Sequence, residues 1–148
     1  MRISAKGRYG LAAMIDLAKT GSKDEYITII SIAEKLGISK IYLEQVFALL
    51  KKSGLVKSTK GSNGGYQLTK KPNDITAYDI INAIEQSLFE KNEQSLSNDV
   101  QNIEKAMTSL VFDQIDNAIT EALKKVSLSD LVAKADFYND EPSLMFYI

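Results

Sequence analysis

Residues 28–69 limit the folds open to this chain more than any other stretch: two short helical patterns meet at a glycine and run into two strand-like segments. Thr28 is placed to cap a helix carrying Ile29, Ile32, Ala33 and Leu36, the last three at the i, i+1, i+4 offsets of one buried face. Gly37 follows, where helices end in the left-handed region that only glycine enters cheaply. Ser39 restarts a helix at once, as N-cap of residues 40–50. A helix, a tight turn and a second helix make a helix-turn-helix. In the second helix Leu43, Val46, Phe47 and Leu50 form a core stripe. Lys40, Ile41, Glu44, Gln45, Ala48 and Lys51 face the other way, with Tyr42 at the border. That outer face carries hydrogen-bonding groups edged by Lys51 and Lys52, which suits a helix lying in a major groove.

After Gly54, residues 55–59 have strand character, residues 60–65 form a turn and residues 66–69 a second strand. Gly61, Gly64 and Gly65 in a loop led by Lys60 let the backbone approach a phosphate, or enter a minor groove, with no side chain in the way. Helix-turn-helix plus wing is the pattern of a DNA reader. An αα-hairpin carrying a surface β-hairpin, a module without a nucleic-acid partner, is the alternative this pattern leaves open.

The net charge of -1 conceals a segregation. Residues 1–71 hold 13 Lys/Arg against 5 Asp/Glu, a net of +8; residues 72–148 hold 5 Lys against 14 Asp/Glu, a net of -9. A basic front half suits phosphate binding, and an acidic rear half suits protein contacts. Solvated faces with a chance segregation would look the same. The chain has no cysteine and no histidine. That removes thiolate and imidazole metal sites, disulfides, thiol redox sensing and histidine base chemistry together, so no cofactor and no metal are expected. No catalytic spacing is recognisable, and no glycine-rich loop joins a strand to a helix, so an enzyme is not expected. No apolar run approaches a membrane span, and no signal-peptide pattern opens the chain. Its expected place is therefore the cytoplasm.

Around this core the chain takes the following order. Ser4 opens an amphipathic helix to Lys19 with an apolar stripe of Leu11, Met14, Ile15 and Ala18. Arg2, Lys6 and Arg8 crowd its start and oppose the helix dipole, a cost that a nearby phosphate would relieve. Gly7 and Gly10 suggest close approach of another backbone. Tyr26 and Ile27 suit a short strand completing the wing sheet. Thr76 begins a helix with Asp79 at the capping-box position and Ile80, Ile81 and Ile84 on one face. These limits predict a mainly α fold: a winged helix-turn-helix domain (1–87), a polar linker (88–98) and a C-terminal region (99–148).

In that last region Val100, Ile103, Met107, Val111, Ile115, Ala118 and Ala122 recur at steps of three or four over a helix about 40 Å long. A solitary helix of this length pairs with a twin or folds back on its own reader domain; pairing is the expectation here. A short last helix begins near Ser127, and the tail from Asp136 ends in the apolar run Leu144, Met145, Phe146, Tyr147 and Ile148. That tail either packs on the dimer or is offered to a partner.

Residues 1–10, 42–45, 54–56 and 60–66, in this order and spacing, resemble the Rrf-two family of bacterial winged-helix repressors, closely over residues 1–86 and more loosely beyond. The resemblance implies a homodimer joined through its long C-terminal helix and bound to a palindromic operator in double-stranded DNA. It implies base contacts from Ser39, Lys40, Tyr42, Glu44 and Gln45, with Glu44 accepting from a cytosine amino group. It also implies phosphate contacts from Ser4, Lys6, Arg8 and Tyr9, and entry of the wing (Lys60, Gly61, Ser62, Asn63, Gly64, Gly65) into the minor groove. Arg2, Thr28 and Lys51 complete the candidate DNA-binding set. Lys60 stands where the family usually has arginine, which keeps the charge but loses the planar fork. Members that carry an iron–sulfur cluster hold three cysteines in the stretch matching residues 87–98, which here has none. The chain is similar instead to a cysteine-free branch that regulates cysteine metabolism together with cysteine synthase. That enzyme accepts a C-terminal isoleucine carboxylate from serine acetyltransferase, which makes Met145, Phe146, Tyr147 and Ile148 the candidate docking residues.

Overall fold

The computed structural model describes residues 2–21, 24–62, 64–91 and 93–145, with residues 141–145 described by their backbone alone. Helix α1 (Ala5–Thr20) starts on Ser4, whose hydroxyl accepts from the Gly7 N–H at 3.1 Å. Helix α2 (Ile29–Leu36) starts on Thr28, whose hydroxyl accepts from the Ser31 N–H at 3.2 Å. It stops at Gly37, whose φ of 68° turns the chain so that the Ile38 N–H reaches the Ala33 carbonyl at 3.1 Å. Ser39 then caps helix α3 (Lys40–Lys52) by accepting from the Tyr42 N–H at 3.2 Å. The sequence pattern is thus realised bond by bond, each cap satisfying a donor that the helix itself leaves open.

Gly54 repeats the left-handed stop, with φ 80°, and leads into strand β1 (Val56–Thr59). Strand β2 (Gly65–Leu68) pairs with it antiparallel, Val56 against Leu68, Lys57 against Gln67, Ser58 against Tyr66 and Thr59 against Gly65. Ile27 adds a single bridge rather than a strand: its N–H and C=O both bond Tyr66 at 2.8 Å. A Cβ on Gly65 would run into the Ile27 carbonyl, so this crossing needs glycine. After a 3₁₀ turn (Pro72–Asp74), Thr76 and Asp79 form a reciprocal capping box that opens α4 (Ala77–Ile84).

A core cluster joins elements from the whole length of the reader. Ala13, Met14 and Leu17 of α1 meet Ile32 of α2, the stripe Leu43, Val46, Phe47 and Leu50 of α3, Val56 of the wing, and Ile80 and Ile84 of α4. What comes close to Gly7 and Gly10 is side chain, not the backbone that the sequence suggested. Ile84 fills the space of a Gly10 Cβ, and Glu85 and Ile3 crowd Gly7.

From Asn98 to Lys124 the chain is helical without a break: a 3₁₀ turn (Asn98–Val100), α5 (Gln101–Met107), a π-helical turn (Thr108–Phe112) and α6 (Asp113–Lys124). The expected long helix is there, but the wider π turn shifts the register of its apolar stripe midway. Its end is stitched to the reader, because the Ala77 N–H bonds the Val126 carbonyl at 2.8 Å and the Leu128 N–H bonds Ile75 at 2.7 Å. Helix α7 (Leu128–Met145) is longer than the short helix and tail expected from sequence. Ser127 and Asp130 cap it reciprocally, Leu128 enters the reader core, and α7 packs along α1, where Lys19 pairs with Asp136 at 3.1 Å. An acidic composition is no helix stop when packing and caps favour continuation. Phe146, Tyr147 and Ile148, expected as an apolar tail, lie outside the described residues.

Candidate nucleic-acid interface

Helix α3 presents its outer face because the inner one is consumed. Leu43, Val46, Phe47 and Leu50 are buried, which leaves Lys40, Ile41, Glu44, Gln45, Ala48 and Lys51 outside. Lys40 Nζ lies 3.7 Å from Glu44 Oε1, one turn away, and both are about half exposed. Such an exposed pair is weak, so either partner is available to a ligand. Ser39 spends its hydroxyl as the cap, and Thr28 does the same for α2. Ile41 is 73% exposed. The sequence already set it on the outer face, but its chemistry is the kind that meets a thymine methyl, which makes it a functional candidate that a search for polar contacts passes over.

Two further elements join this face. Tyr9 of α1 stacks edge-on against Tyr42 at 5.3 Å between ring centroids, and Lys6 Nζ stands 6.0 Å over the same Tyr42 ring. The start of α1 and the start of α3 therefore form one surface, with Lys6 and Tyr9 meeting at the Tyr42 ring. On the other flank Lys51 Nζ donates to Ser58 Oγ at 2.7 Å and ties the end of α3 to β1. Arg2, Arg8, Lys60, Gly61 and Ser62 are exposed. Gly61 has φ 102° and accepts from the Gly64 N–H at 3.0 Å, so Gly64 is packed inside the turn while Gly65 is half-buried. Asn63 lies outside the described residues.

Ser4 is placed differently from the other basic-face candidates. Its N–H donates to Glu85 Oε1 at 2.8 Å and its hydroxyl makes a short bond to the same oxygen. The anion held at the N-cap of α1 is thus the carboxylate of Glu85, the residue that follows α4, where the sequence suggested a phosphate. Nothing near residue 4 in sequence signals this contact.

The expected pairing residues lie along the long helix. Ile103, Val111, Ile115, Ala118 and Ala122 are exposed, and Val100 and Met107 are half-buried. Leu110 joins them at 75% exposure. Met145 ends α7.

A helix-turn-helix with a wing, its outer helix face free and edged by cations, defines a winged-helix DNA-binding transcriptional regulator. The chain belongs to the Rrf2 (Rrf-two) family: the family model described as "Iron-dependent Transcriptional regulator" matches residues 3–134. It is 38% identical over 148 residues, the whole of both chains, to the HTH-type transcriptional regulator CymR of Bacillus subtilis (strain 168). It is 34% identical to the regulator IscR of Pectobacterium atrosepticum, covering 94% of this chain and 84% of that one. The solved structure of CymR (YrzC), the global cysteine regulator of B. subtilis, superposes with a TM-score of 0.71 at 35% identity, covering 90% of this chain and 98% of that one. Such relatives are regulators, not enzymes. The family description invokes iron, but this chain has no Cys or His, and among the described residues no three acidic side chains come together to hold a metal ion. Its own donor set does not fit an iron or iron–sulfur centre. Among the described residues no helix is long and apolar enough to cross a membrane.

Proposed function

We propose that this regulator is a homodimeric repressor of cysteine or sulfur-metabolism genes that acts with cysteine synthase. The observation that carries the reading is end-to-end similarity to CymR in a chain whose 87–98 stretch lacks any cluster ligand. Residues 1–87 serve as reader, 88–98 as linker and 99–148 as the dimerisation and partner region. Two copies of α3 enter successive major grooves of a palindromic operator. Gln45 and Lys40 read base edges, Glu44 accepts from a cytosine amino group, and Ile41 packs on a thymine methyl. Arg2, Lys6, Arg8, Tyr9 and Lys51 hold phosphates, and Lys60 to Gly65 follow the minor groove. Ser39 and Thr28 act by presenting the N-terminal N–H groups of α3 and α2. Exposed Leu110, Val111 and Ile115 supply the pairing face, and Ile148 offers its carboxylate to the synthase.

The test is a pull-down with the host's cysteine synthase, with and without O-acetylserine, while operator binding is followed. A complex that tightens operator binding and dissolves on adding O-acetylserine is the expected result. Equal synthase affinity after deletion of residues 145–148 would sink the tail's role. Operator binding without any synthase complex would leave a cluster-free repressor with another signal. Binding to random duplex should weaken steeply with salt, as the +8 half requires; a flat dependence would favour an interaction module that does not bind DNA.

A further inference from the structure

The reader domain contains a cavity that DNA recognition does not use. It measures about 370 Å³ and lies between the end of α1, the wing and the connector after β2. That size falls within the range of small-molecule sites, which begins at about 300 Å³. Leu17, Ala18 and Pro72 give it an apolar wall, and Lys57, Lys70 and Lys71 bring three cations to it. Glu25 is the acid among its lining residues, so the charge there stays positive. The ion pairs of the described residues, Lys19–Asp136, Lys35–Asp16 and Lys40–Glu44, involve none of these three lysines.

Strand register shows that this is not the back of the DNA surface spilling over. Cross-strand partners project to one face of a sheet. Ser58 and Tyr66 project toward α3, where Lys51 meets Ser58 and Phe47 packs on Tyr66 with 4.5 Å between centroids. Lys57 and its partner Gln67 project to the opposite face, and Gln67 is buried there with its Nε2 donating to the Glu25 carbonyl at 3.2 Å. Lys57 of the cavity therefore belongs to the side of the wing turned away from the recognition helix, and Lys70 and Lys71 reach the cavity from the connector after β2.

We propose that this cavity binds a small organic anion, a carboxylate or phosphate head on a short hydrocarbon body, and that occupancy is transmitted to the DNA-reading face. The head meets Lys57, Lys70 and Lys71, and the body lies on Leu17, Ala18 and Pro72. Transmission has a physical route. Helix α1 carries Leu17 and Ala18 at one end and, at the other, Lys6 and Tyr9 against Tyr42 of α3; Lys57 sits on the wing itself. An anion bridging α1 and Lys57 fixes the wing relative to α3. This goes beyond the cysteine-synthase reading and stands without it, resting only on the chain being a DNA reader.

The experiment titrates the ¹⁵N-labelled full chain with glutarate and, separately, with phenyl phosphate, using inorganic sulfate as the control. Saturable shifts confined to amides around residues 17–21, 57 and 67–71 are expected, from either probe or both, and the responding probe identifies the head group. The triple variant K57Q/K70Q/K71Q, its folding checked by circular dichroism, should lose about tenfold or more in affinity, the loss of at least one charge-assisted contact. No saturable shift with either organic probe, equal shifts with sulfate, or unchanged affinity in the triple variant would each overturn the site. Duplex binding at fixed ionic strength should change several-fold on saturation in the parent chain and not in the triple variant; no change would overturn the transmission. Failure of the probe-free protein to bind any duplex would count against the DNA-reader assignment, and the titration would still judge the cavity.

Discussion

Helix α3 and the long helix of residues 98–124 are both amphipathic, yet their apolar faces meet opposite fates. In α3 the apolar stripe is closed by its own chain: Leu43, Val46, Phe47 and Leu50 are all buried, and the exposed side is polar apart from Ile41 and Ala48. In the long helix the pattern is inverted. Leu110 is 75% and Ile115 51% exposed, while an acid, Glu104, is only 7% exposed, its Oε2 without a hydrogen-bond partner among the described residues. An apolar face left in water and a carboxylate taken out of it are both unfavourable in an isolated protomer. Amphipathicity therefore says that a helix has a partner, but not whose. For α3 the partner is the same chain, and the free face is left for a ligand. For the long helix, which packs on α4 through α6, the remaining face suits a second copy of the chain.

The largest effect is expected at Phe47. Phe47→Ala should cost about 3–5 kcal/mol, because it empties the centre of a packed cluster, read as a lower denaturant midpoint at fixed protein concentration. A loss below about 1 kcal/mol would mean that the α3 stripe is not what holds the reader together. Leu110→Ala sharpens the other side. It should weaken self-association by about 2 kcal/mol, some 30-fold, in sedimentation equilibrium. Unfolding at dilutions where both proteins are monomeric should not change, since in the protomer this side chain is mostly in water. Unchanged association would remove Leu110 from the pairing face. The smallest effect falls at the boundary between the two helix-turn-helix helices. Ser39→Ala should cost about 1 kcal/mol through the lost cap, and Ser39→Asp should restore it. Equal stability of both variants would show that the cap bond at Tyr42 contributes nothing.

Legibility in the sequence follows the distance over which each contact acts. Thr28, Gly37, Ser39 and Thr76 act within three or four residues of themselves, and each stands in the structure where its residue type required. The α3 stripe was equally plain, because helical periodicity needs no knowledge of the neighbour. Glu85 at the start of α1 was not: it lies 81 residues from Ser4, and no local pattern announces it. The same holds for Ile84 over Gly10, Tyr9 against Tyr42 and Lys51 on Ser58, each a meeting of separate elements. The length of helix α7 is not legible either, since the acidic composition after Asp136 suggests a stop, whereas packing along α1 and the Lys19–Asp136 pair favour continuation.

By itself the sequence determined the helix-turn-helix, the wing, the segregation of charge and the impossibility of a thiolate- or histidine-bound metal, because residue type and short spacing decide all four. Only the tertiary structure decided which cations share a surface with α3 and which line the cavity behind the wing. Lys51 and Lys57 are six positions apart and alike in the sequence, yet strand register sends Lys57 to one face of the sheet and Lys51 reaches Ser58 on the other. A charge has no direction until the backbone that carries it has been paired and twisted into place.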